Sequence, residues 1–284
     1  MDISTFTAKR QRLAAKGGEI AYTEFGDGPR TALFIHGLGT SGALWRQVIE
    51  QVSDMARCVA IDLPGHGATP PREDLSVAAL ADVAAELADG LGLGQVDLVA
   101  NDTGGAVAQV FAARQPERLR TLTLTNCDTD GNFPPPEFAP VIEIAKKGEL
   151  AAMFVAVAGD SAAWRTSPLA AGYEHPENTS DEAWREYLTP VGGTIERARV
   201  FERILCSLDP KDLAAIDGAL RALDVPTLIV WGTGDEAFGV EWAHRLRDTI
   251  PGAKAVIEVE GAKTFFPEER PDALVPHLRA HWVS

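Results

Sequence analysis

The segment Ala100-Asn101-Asp102-Thr103-Gly104 joins an apolar run to a helical pattern and has the composition of a catalytic turn. A nucleophile elbow is a sharp strand-to-helix turn in which small residues stand two positions before and two positions after the nucleophile. Ala100 and Gly104 meet that need, and aspartate tolerates the strained backbone of the central position better than most residues. If Thr103 were the nucleophile, Asn101 would occupy a position that should be small. The spacing therefore predicts Asp102 as the nucleophile.

A carboxylate at this turn would attack carbon. It is ionised at neutral pH without help from a base, whereas a serine hydroxyl is not. It can displace a leaving group from a saturated carbon or open an epoxide ring. Backbone N–H groups at the turn can orient the carboxylate or hold developing charge, and by position these groups belong to Leu38 and Thr103.

The elements that must position this turn alternate between short apolar runs and helical patterns. An antiparallel pair of strands is expected over residues 8–25. The strands predicted after it are Thr31–Ile35, Cys58–Leu63, Val96–Ala100, Leu119–Thr125, Pro226–Trp231 and Ala255–Val259. The predicted helices are Gly42–Val52, Ser76–Leu91, Gly105–Arg114, Val240–Thr249 and Asp272–Trp282. This alternation predicts an α/β fold with a mostly parallel sheet of eight strands and flanking helices.

Residues 130–215 break the alternation and carry helical patches with many aromatic side chains. An insertion of this length within an α/β sheet is typical of a helical lid rather than of a free loop. The chain is therefore predicted to have a core domain of residues 1–129 and 216–284 and a lid of residues 130–215. Most lid aromatics are expected to pack on one another. Trp164, Tyr173 and Tyr187 are the candidates to face a substrate.

Further motifs accompany the turn at Asp102 in a specific order. They are His36-Gly37 after a strand, Asp62-Leu63-Pro64-Gly65-His66-Gly67, Trp231-Gly232-Thr233-Gly234-Asp235 and a tail from Gly261 to Pro271. With them the sequence resembles the α/β-hydrolase superfamily over nearly its whole length. An aspartate at the elbow is similar to haloalkane dehalogenases, fluoroacetate dehalogenases and epoxide hydrolases, which form an alkyl or hydroxyalkyl ester on that carboxylate. The resemblance implies an α/β-hydrolase fold and a hydrolase that acts on a small apolar organic substrate.

The resemblance also implies roles for residues around the nucleophile. Asp235 matches the acid that orients the catalytic histidine in most members, and Asp128 lies close to the alternative position of that acid in some dehalogenases. We favour Asp235, although an aspartate here can also simply cap its loop. His36 and His66 match structural residues, of the oxyanion-hole turn and of a loop respectively.

The catalytic histidine of the family pattern is replaced. Phe265, Glu268, Glu269 and Pro271 fix the register of the tail, and the histidine position falls on Thr264. General-base assistance is typically worth about 10²–10⁴-fold in rate, so hydrolysis of an ester on Asp102 is expected to be impaired unless another base acts. A base from the lid, His175 or a glutamate, is one alternative.

Two hypotheses remain open from the sequence. The first is hydrolysis through Asp102, dehalogenase-like or epoxide-hydrolase-like. Dehalogenases often place a tryptophan where this chain has Thr103, and epoxide hydrolases use lid tyrosines, for which Tyr173 and Tyr187 are the candidates. The second is a member without hydrolytic turnover, either a small-molecule binder or receptor, or a lyase or isomerase that uses Asp102 as a proton acceptor.

The composition of the chain limits the classes of partner and cofactor that it is expected to bind. The chain has 284 residues and a formal net charge of −15, which disfavours nucleic acid and anionic membranes as partners. Three scattered cysteines form neither a disulfide framework nor a zinc cluster, and no signal peptide is visible, so a cytoplasmic location is expected. No cofactor is implied, because neither metal-ligand spacing nor a dinucleotide fingerprint occurs. The sequence allows a homodimer but does not require one.

Overall fold

A computed structural model describes residues 1–283, without the side chains of Ala158, Ser161 and Pro168. The strands are β1 Arg10–Ala15, β2 Gly18–Ile35, β3 Ala56–Ile61, β4 Val96–Asp102, β5 Leu119–Cys127, β6 Thr227–Gly232 and β7 Ala253–Val259. The α-helices are α1 Ile3–Thr7, α2 Arg46–Val52, α3 Val77–Gly90, α4 Thr103–Arg114, α5 Ala139–Lys146, α6 Leu150–Ala158, α7 Ser161–Trp164, α8 Asp181–Gly192, α9 Ile195–Cys206, α10 Lys211–Ala214, α11 Asp217–Leu220, α12 Val240–Thr249, α13 Phe266–Glu269 and α14 Val275–Val283. Short 3₁₀ helices span Gly42–Trp45, Pro116–Arg118, Pro136–Phe138, Pro168–Gly172, Pro176–Asn178 and Pro271–Ala273.

The strands form one mixed, mostly parallel sheet, as the alternating pattern predicts. β2, β4, β5, β6 and β7 follow one another in the sheet with parallel pairing, and β1 pairs antiparallel with β2. Every residue of β4 is buried. A strand covered on both faces is expected to be a continuous apolar run, and Val96–Ala100 is one but for Asp97. The predicted α/β-hydrolase fold is confirmed.

The number of strands differs from the prediction. The sequence predicts eight strands and the sheet has seven, because β2 runs without a break from the predicted N-terminal pair into Thr31–Ile35. Cys58 of β3 pairs with Phe25 in the first half of β2 and with Ala32 in its second half. The bent strand therefore lies on both sides of β3 and fills two places in the sheet.

Helices cover both faces of the sheet and bury two apolar clusters. On one face α3, α4 and α12 contribute residues such as Leu87, Phe111 and Leu246, all at most 1% exposed. The other face packs on α2 and α14. Helix α3 begins where predicted, because the Ser76 side chain accepts a hydrogen bond from the N–H of Ala79 and caps the first turn.

The segment between β5 and β6 is helical. Its main helices, α5, α6, α8 and α9, pack on one another, and Tyr187, Phe154 and Phe201 belong to the same apolar cluster as the core residues Phe34 and Trp45. We call α5 to α9 with their connections, residues 139–206, the helical insertion. Among residues 1–283, no helix combines the length and the apolar character that crossing a membrane requires.

Candidate active site

Asp102 lies at the carboxyl end of β4, directly before α4. Its backbone has φ 54° and ψ −135°, and it is the one non-glycine residue among residues 1–283 with a positive φ. Such a conformation costs about 1–3 kcal/mol and persists only where the surroundings impose it. The geometry is that of a sharp strand-to-helix turn whose central side chain stands above the sheet.

Glycines permit this turn. A methyl group added to Gly37 would lie 2.1 Å from Oδ2 of Asp102, and one added to Gly104 would lie 2.4 Å from the carbonyl oxygen of His36. On the next residue, Gly105, a methyl group would lie 2.3 Å from Cβ of Cys127. Both the carboxyl of Asp102 and the start of α4 are therefore held closely against neighbouring residues.

The Asp102 carboxyl is 4% exposed and receives backbone hydrogen bonds. The N–H of Leu38, in the turn after β2, donates to its Oδ2 over 2.8 Å. Burial raises the pKa of Asp102 well above its ordinary value and the neighbouring Asp128 raises it further, while the N–H groups of Leu38 and Thr103 oppose the rise. Leu38 and Thr103 thus contribute the two N–H groups expected from the sequence.

Asp128 follows β5, whose residue Cys127 is the register partner of Asp102 in β4. The hydroxyl of Thr103 donates to Oδ2 of Asp128 over 2.8 Å. The other oxygen, Oδ1, is buried and has no hydrogen-bond partner in the described part of the chain. Burial raises the pKa of Asp128 to about 7, although the hydrogen bond from Thr103 acts to lower it.

Asp235 accepts hydrogen bonds at both carboxyl oxygens. Oδ1 accepts from the N–H groups of Ala237 and Phe238, each at 3.0 Å, and Oδ2 accepts from the hydroxyl of Thr264 and from Nδ2 of Asn126. Asp235 therefore caps its loop and also holds the side chain at the histidine position.

The loop that carries Thr264 is fixed from two sides. Nδ2 of Asn101, in the elbow, donates to the carbonyl oxygen of Thr264 over 2.8 Å. On the other side, the N–H of Phe265 donates to the carbonyl oxygen of Gly172 in the helical insertion over 2.9 Å. Thr264 itself is 5% exposed. The elbow, the Thr264 loop and the helical insertion meet at this point.

His36 and His66 lie near the elbow, and both serve the backbone. Nε2 of His36 accepts from the N–H of Leu63 over 2.9 Å, and its Nδ1 lies 2.7 Å from the carbonyl oxygen of Gly37. Nε2 of His66 accepts from the N–H of Gly39. Burial lowers the pKa of His36 to about 4 and that of His66 to about 3, so both rings are neutral at pH 7.

The three aromatic candidates of the insertion differ in position. The hydroxyls of Tyr173 and Tyr187 both donate to the buried carboxyl of Glu268, over 2.8 and 3.0 Å, and Arg46 donates to the same carboxyl. We call these four residues the Glu268 cluster. Trp164 packs edge-on against Phe154.

A small cavity lies between the helical insertion and the core. Its volume is about 10 Å³, which is room for about one water molecule. It is lined by Leu38, Gly39, Thr40, Leu169, Tyr173, Trp184, Tyr187, Leu188 and Phe265. A larger groove of about 470 Å³ runs along β1 and β2 and contains none of the candidate residues. The cavity as it stands is too small for an organic substrate.

Sequence reasoning named Tyr173 and Tyr187 but missed Trp184 and the contacts of both tyrosines with Glu268. Trp184 lines the cavity, and its buried Nε1–H has no hydrogen-bond partner among the described residues. Trp164, the tryptophan chosen from the sequence, is absent from the cavity lining. The aromatic content of α8 was the available signal, but it does not tell which face of the helix meets the core. No group of histidine, cysteine, aspartate or glutamate side chains in the described part of the chain could hold a metal ion.

Comparison with known proteins places these features in a family. The model of the family described as "Alpha/beta hydrolase family" matches residues 32–277. Epoxide hydrolase 1 of Caenorhabditis elegans is 25% identical over 264 residues, which cover 87% of this chain and 63% of that protein, so the chain spans less than two thirds of it. A haloalkane dehalogenase of Mesorhizobium japonicum is 36% identical over 115 residues, 40% of this chain and 37% of that protein.

The fold is shared with solved structures. That of a haloalkane dehalogenase from Bradyrhizobium elkani superposes with a TM-score of 0.81 over 96% of this chain and 97% of that one, at 24% identity.

Proposed function

The chain belongs to the alpha/beta hydrolase family, and from this premise we propose that it hydrolyses a small apolar substrate through an ester formed on Asp102. The observation that carries the proposal is the strained elbow. Asp102 is held at φ 54° above the sheet, with the N–H of Leu38 on one carboxyl oxygen. A buried aspartate in a conformation that costs about 1–3 kcal/mol is better explained by chemistry than by packing.

In the first step, a carboxyl oxygen of Asp102 attacks a saturated carbon, and the bond from that carbon to its leaving group breaks. The leaving group departs with the bonding electrons, and the product is an alkyl ester of Asp102. The N–H groups of Leu38 and Thr103 orient the carboxylate before attack and can hold charge on the ester carbonyl when water attacks it later.

A displaced leaving group such as halide suits this site better than an epoxide oxygen. An epoxide needs a proton donor, and the tyrosine hydroxyls of the insertion are both committed to Glu268. A departing halide needs only a hydrogen-bond donor, and the indole N–H of Trp184 at the cavity is uncommitted among the described residues. The relatives do not separate the two substrates, since an epoxide hydrolase matches 87% of this chain and a haloalkane dehalogenase 40% of it, and the choice rests on these donors.

The apolar lining supports a small hydrophobic substrate. Leu38, Leu169, Leu188 and Phe265 give the cavity a mainly hydrocarbon wall, and the polar tips of its two tyrosines point to Glu268. The cavity is small, so we propose that short haloalkanes bind after the insertion has moved outwards from the core.

The test is the intact mass of the protein after incubation with short 1-bromoalkanes and 1-chloroalkanes, and separately with styrene oxide. We expect an increase by one alkyl group, transient or lasting, with release of halide. Asp102→Asn, which preserves size, should abolish both. Halide release by Asp102→Asn at the wild-type rate would contradict the proposal. So would the lack of both adduct and halide release in the wild-type protein across the whole panel.

A further inference from the structure

We propose that Asp128 is the base that activates water against the Asp102 ester, in the absence of a histidine at position 264. This inference rests on the proposed function, since it concerns the second step of the same reaction. The ester can be hydrolysed only if some group near Asp102 accepts a proton from the attacking water.

The histidines near the elbow do not qualify. Both nitrogens of His36 contact backbone groups, of Leu63 and Gly37, and Nε2 of His66 accepts from Gly39. His175, the lid candidate, is exposed and lies beside Glu174 and Glu177. His244 lies beside Glu258.

Two of the buried carboxyls do not qualify either. Asp235 accepts four hydrogen bonds, divided equally between its oxygens, and so has little capacity left for a proton from water. Glu268 accepts from Arg46, Tyr173 and Tyr187. Positive charge and donated hydrogen bonds both weaken a carboxylate as a base.

Asp128 differs from these carboxyls in having a free oxygen. Its side chain is 1% exposed, Oδ2 accepts from Thr103, and Oδ1 has no hydrogen-bond partner in the described part of the chain. Thr103 is the residue that follows Asp102, and Cys127, before Asp128, is the register partner of Asp102. Asp128 is thus hydrogen-bonded to the elbow and adjacent to it in the sheet, and one of its oxygens is available for a water molecule.

The two carboxyls also influence each other's charge. No lysine or arginine contacts either Asp102 or Asp128 among the described residues, and two adjacent buried carboxyls without a cation cannot both be ionised at little cost. They therefore share one proton at neutral pH. The other titratable groups that face this pair are Asp235 and the thiol of Cys127, whose pKa burial raises well above its ordinary value.

Formation of the ester on Asp102 makes it easier for Asp128 to lose its proton. Attack requires the negative charge on Asp102, so the shared proton then lies on Asp128. Once Asp102 is an ester it carries no charge, and Asp128 can lose its proton to solvent without an anionic neighbour. The pKa of Asp128, raised by burial to about 7, allows this loss near neutral pH.

In the second step, the hydrolysis of the ester, Asp128 accepts a proton and then donates it. The Asp128 carboxylate takes a proton from water as the water oxygen bonds to the ester carbonyl carbon. The bond between that carbon and the alkoxy oxygen breaks, and the alkoxide receives the proton from Asp128. Asp102 is left as a carboxylic acid with one oxygen from water, and the pair again holds one proton. The net reaction turns R–X and water into R–OH, a proton and halide.

The experiment follows the mass of wild-type protein, Asp128→Asn, Asp102→Asn and Asp130→Asn after rapid mixing with 1-bromobutane. Asp130→Asn is the matched control, because Asp130 lies two residues further on, at the surface beside Arg245. We expect Asp128→Asn to accumulate one butyl group per chain and to release it at least about 100-fold more slowly than the wild type. In the wild type and Asp130→Asn, release should accelerate as pH rises through about 7, and Asp128→Asn should lose this dependence.

The outcomes separate the two proposals. Release from Asp128→Asn at the wild-type rate and with the wild-type pH profile would overturn the role of Asp128 and leave Asp102 as nucleophile. A butyl ester that persists unhydrolysed in the wild type would do the same. Halide release that continues in Asp102→Asn would overturn the proposed function itself. If the amide prevents adduct formation, Asp128→Ser gives the same comparison, and release from it at the wild-type rate counts against Asp128.

Discussion

The hydroxyl of Thr264 donates a hydrogen bond to Oδ2 of Asp235. The sequence pattern predicts that position 264 is where the family keeps its catalytic histidine, which the acid would orient towards the nucleophile. Here both carboxyl oxygens of Asp235 accept two hydrogen bonds each, and Thr264 offers an alcohol, which cannot accept a proton at neutral pH. In the proposed reaction, attack by Asp102 does not need a base at this position, and hydrolysis of the resulting ester uses Asp128 instead.

Introducing a histidine at position 264 should supply a second base. Asp235 could hold its Nδ1–H as it now holds the threonine hydroxyl, and the ring would reach towards the elbow. We expect Thr264→His to restore butyl-ester hydrolysis to Asp128→Asn by about 10²–10⁴-fold, measured by the loss of adduct mass.

Thr264→Ser is the matched control for this rescue, since it keeps the hydroxyl on Asp235 without adding a base. It should leave the stalled ester of Asp128→Asn unchanged. Equal hydrolysis in the histidine and serine variants would count against a missing base as the cause of the stall.

The tyrosines of the Glu268 cluster should matter for stability rather than for chemistry. Tyr173→Phe and Tyr187→Phe each remove a hydrogen bond to a buried charged group, which should cost about 1.5–3 kcal/mol in the free energy of unfolding. We expect the rate of adduct formation with bromobutane to change less than about threefold, because neither hydroxyl is available to substrate. Urea unfolding tests the expected loss of stability, and mass measurements on quenched samples test the rate of adduct formation. A loss of epoxide-opening activity in either variant, with stability unchanged, would show that the hydroxyls serve a substrate.

Trp184 should assist the leaving group. A hydrogen bond to a developing halide is worth about 1.5–3 kcal/mol, so Trp184→Phe should slow adduct formation about 10–100-fold. Trp164→Phe is the control, because its Nε1 is also buried and without a hydrogen-bond partner among the described residues, yet it does not line the cavity. Equal effects of the two substitutions on halide release would contradict a specific role for Trp184.

Asp128 should make folding stability depend on pH. Its pKa in the folded protein, about 7, lies above the ordinary value of about 3.9, so the unfolded chain loses this proton first. This group therefore lowers stability as pH rises from about 4 to about 7. Asparagine does not titrate. The free energy of unfolding of Asp128→Asn, taken relative to that of the wild type, should therefore be about 2 kcal/mol larger at about pH 8 than at about pH 5.5. Urea unfolding at the two pH values measures the change, and a difference that is the same at both would show that Asp128 ionises normally.

Local rules predicted the parts of the molecule that depend on neighbours in the chain. The elbow is recognisable because the turn itself demands small residues around Asp102, and helix α3 is recognisable by the helical spacing of its apolar residues. The predicted count of eight strands is wrong because residues 26–30 carry no apolar run, whereas β2 continues through them and pairs with β3 along both halves.

Contacts between distant residues were beyond sequence reasoning. Arg46 and Tyr187 meet Glu268 from positions 222 and 81 residues away in the chain, and no spacing rule connects them. That Trp184 rather than Trp164 lines the cavity follows from a related cause, since the face of α8 that meets the core is decided by packing. The free oxygen of Asp128 likewise depends on which donors the fold brings near.

The most direct test of the account is the origin of oxygen in Asp102. A single turnover with excess protein over 1-bromobutane in water enriched in oxygen-18, followed by digestion and mass spectrometry, locates the incorporated atom. We predict one oxygen-18 in the peptide that contains Asp102 and unlabelled butanol, because water attacks the ester carbonyl and the alcohol keeps the original carboxyl oxygen. Labelled butanol together with an unlabelled Asp102 peptide would mean that water attacks the substrate directly, and would contradict an ester on Asp102.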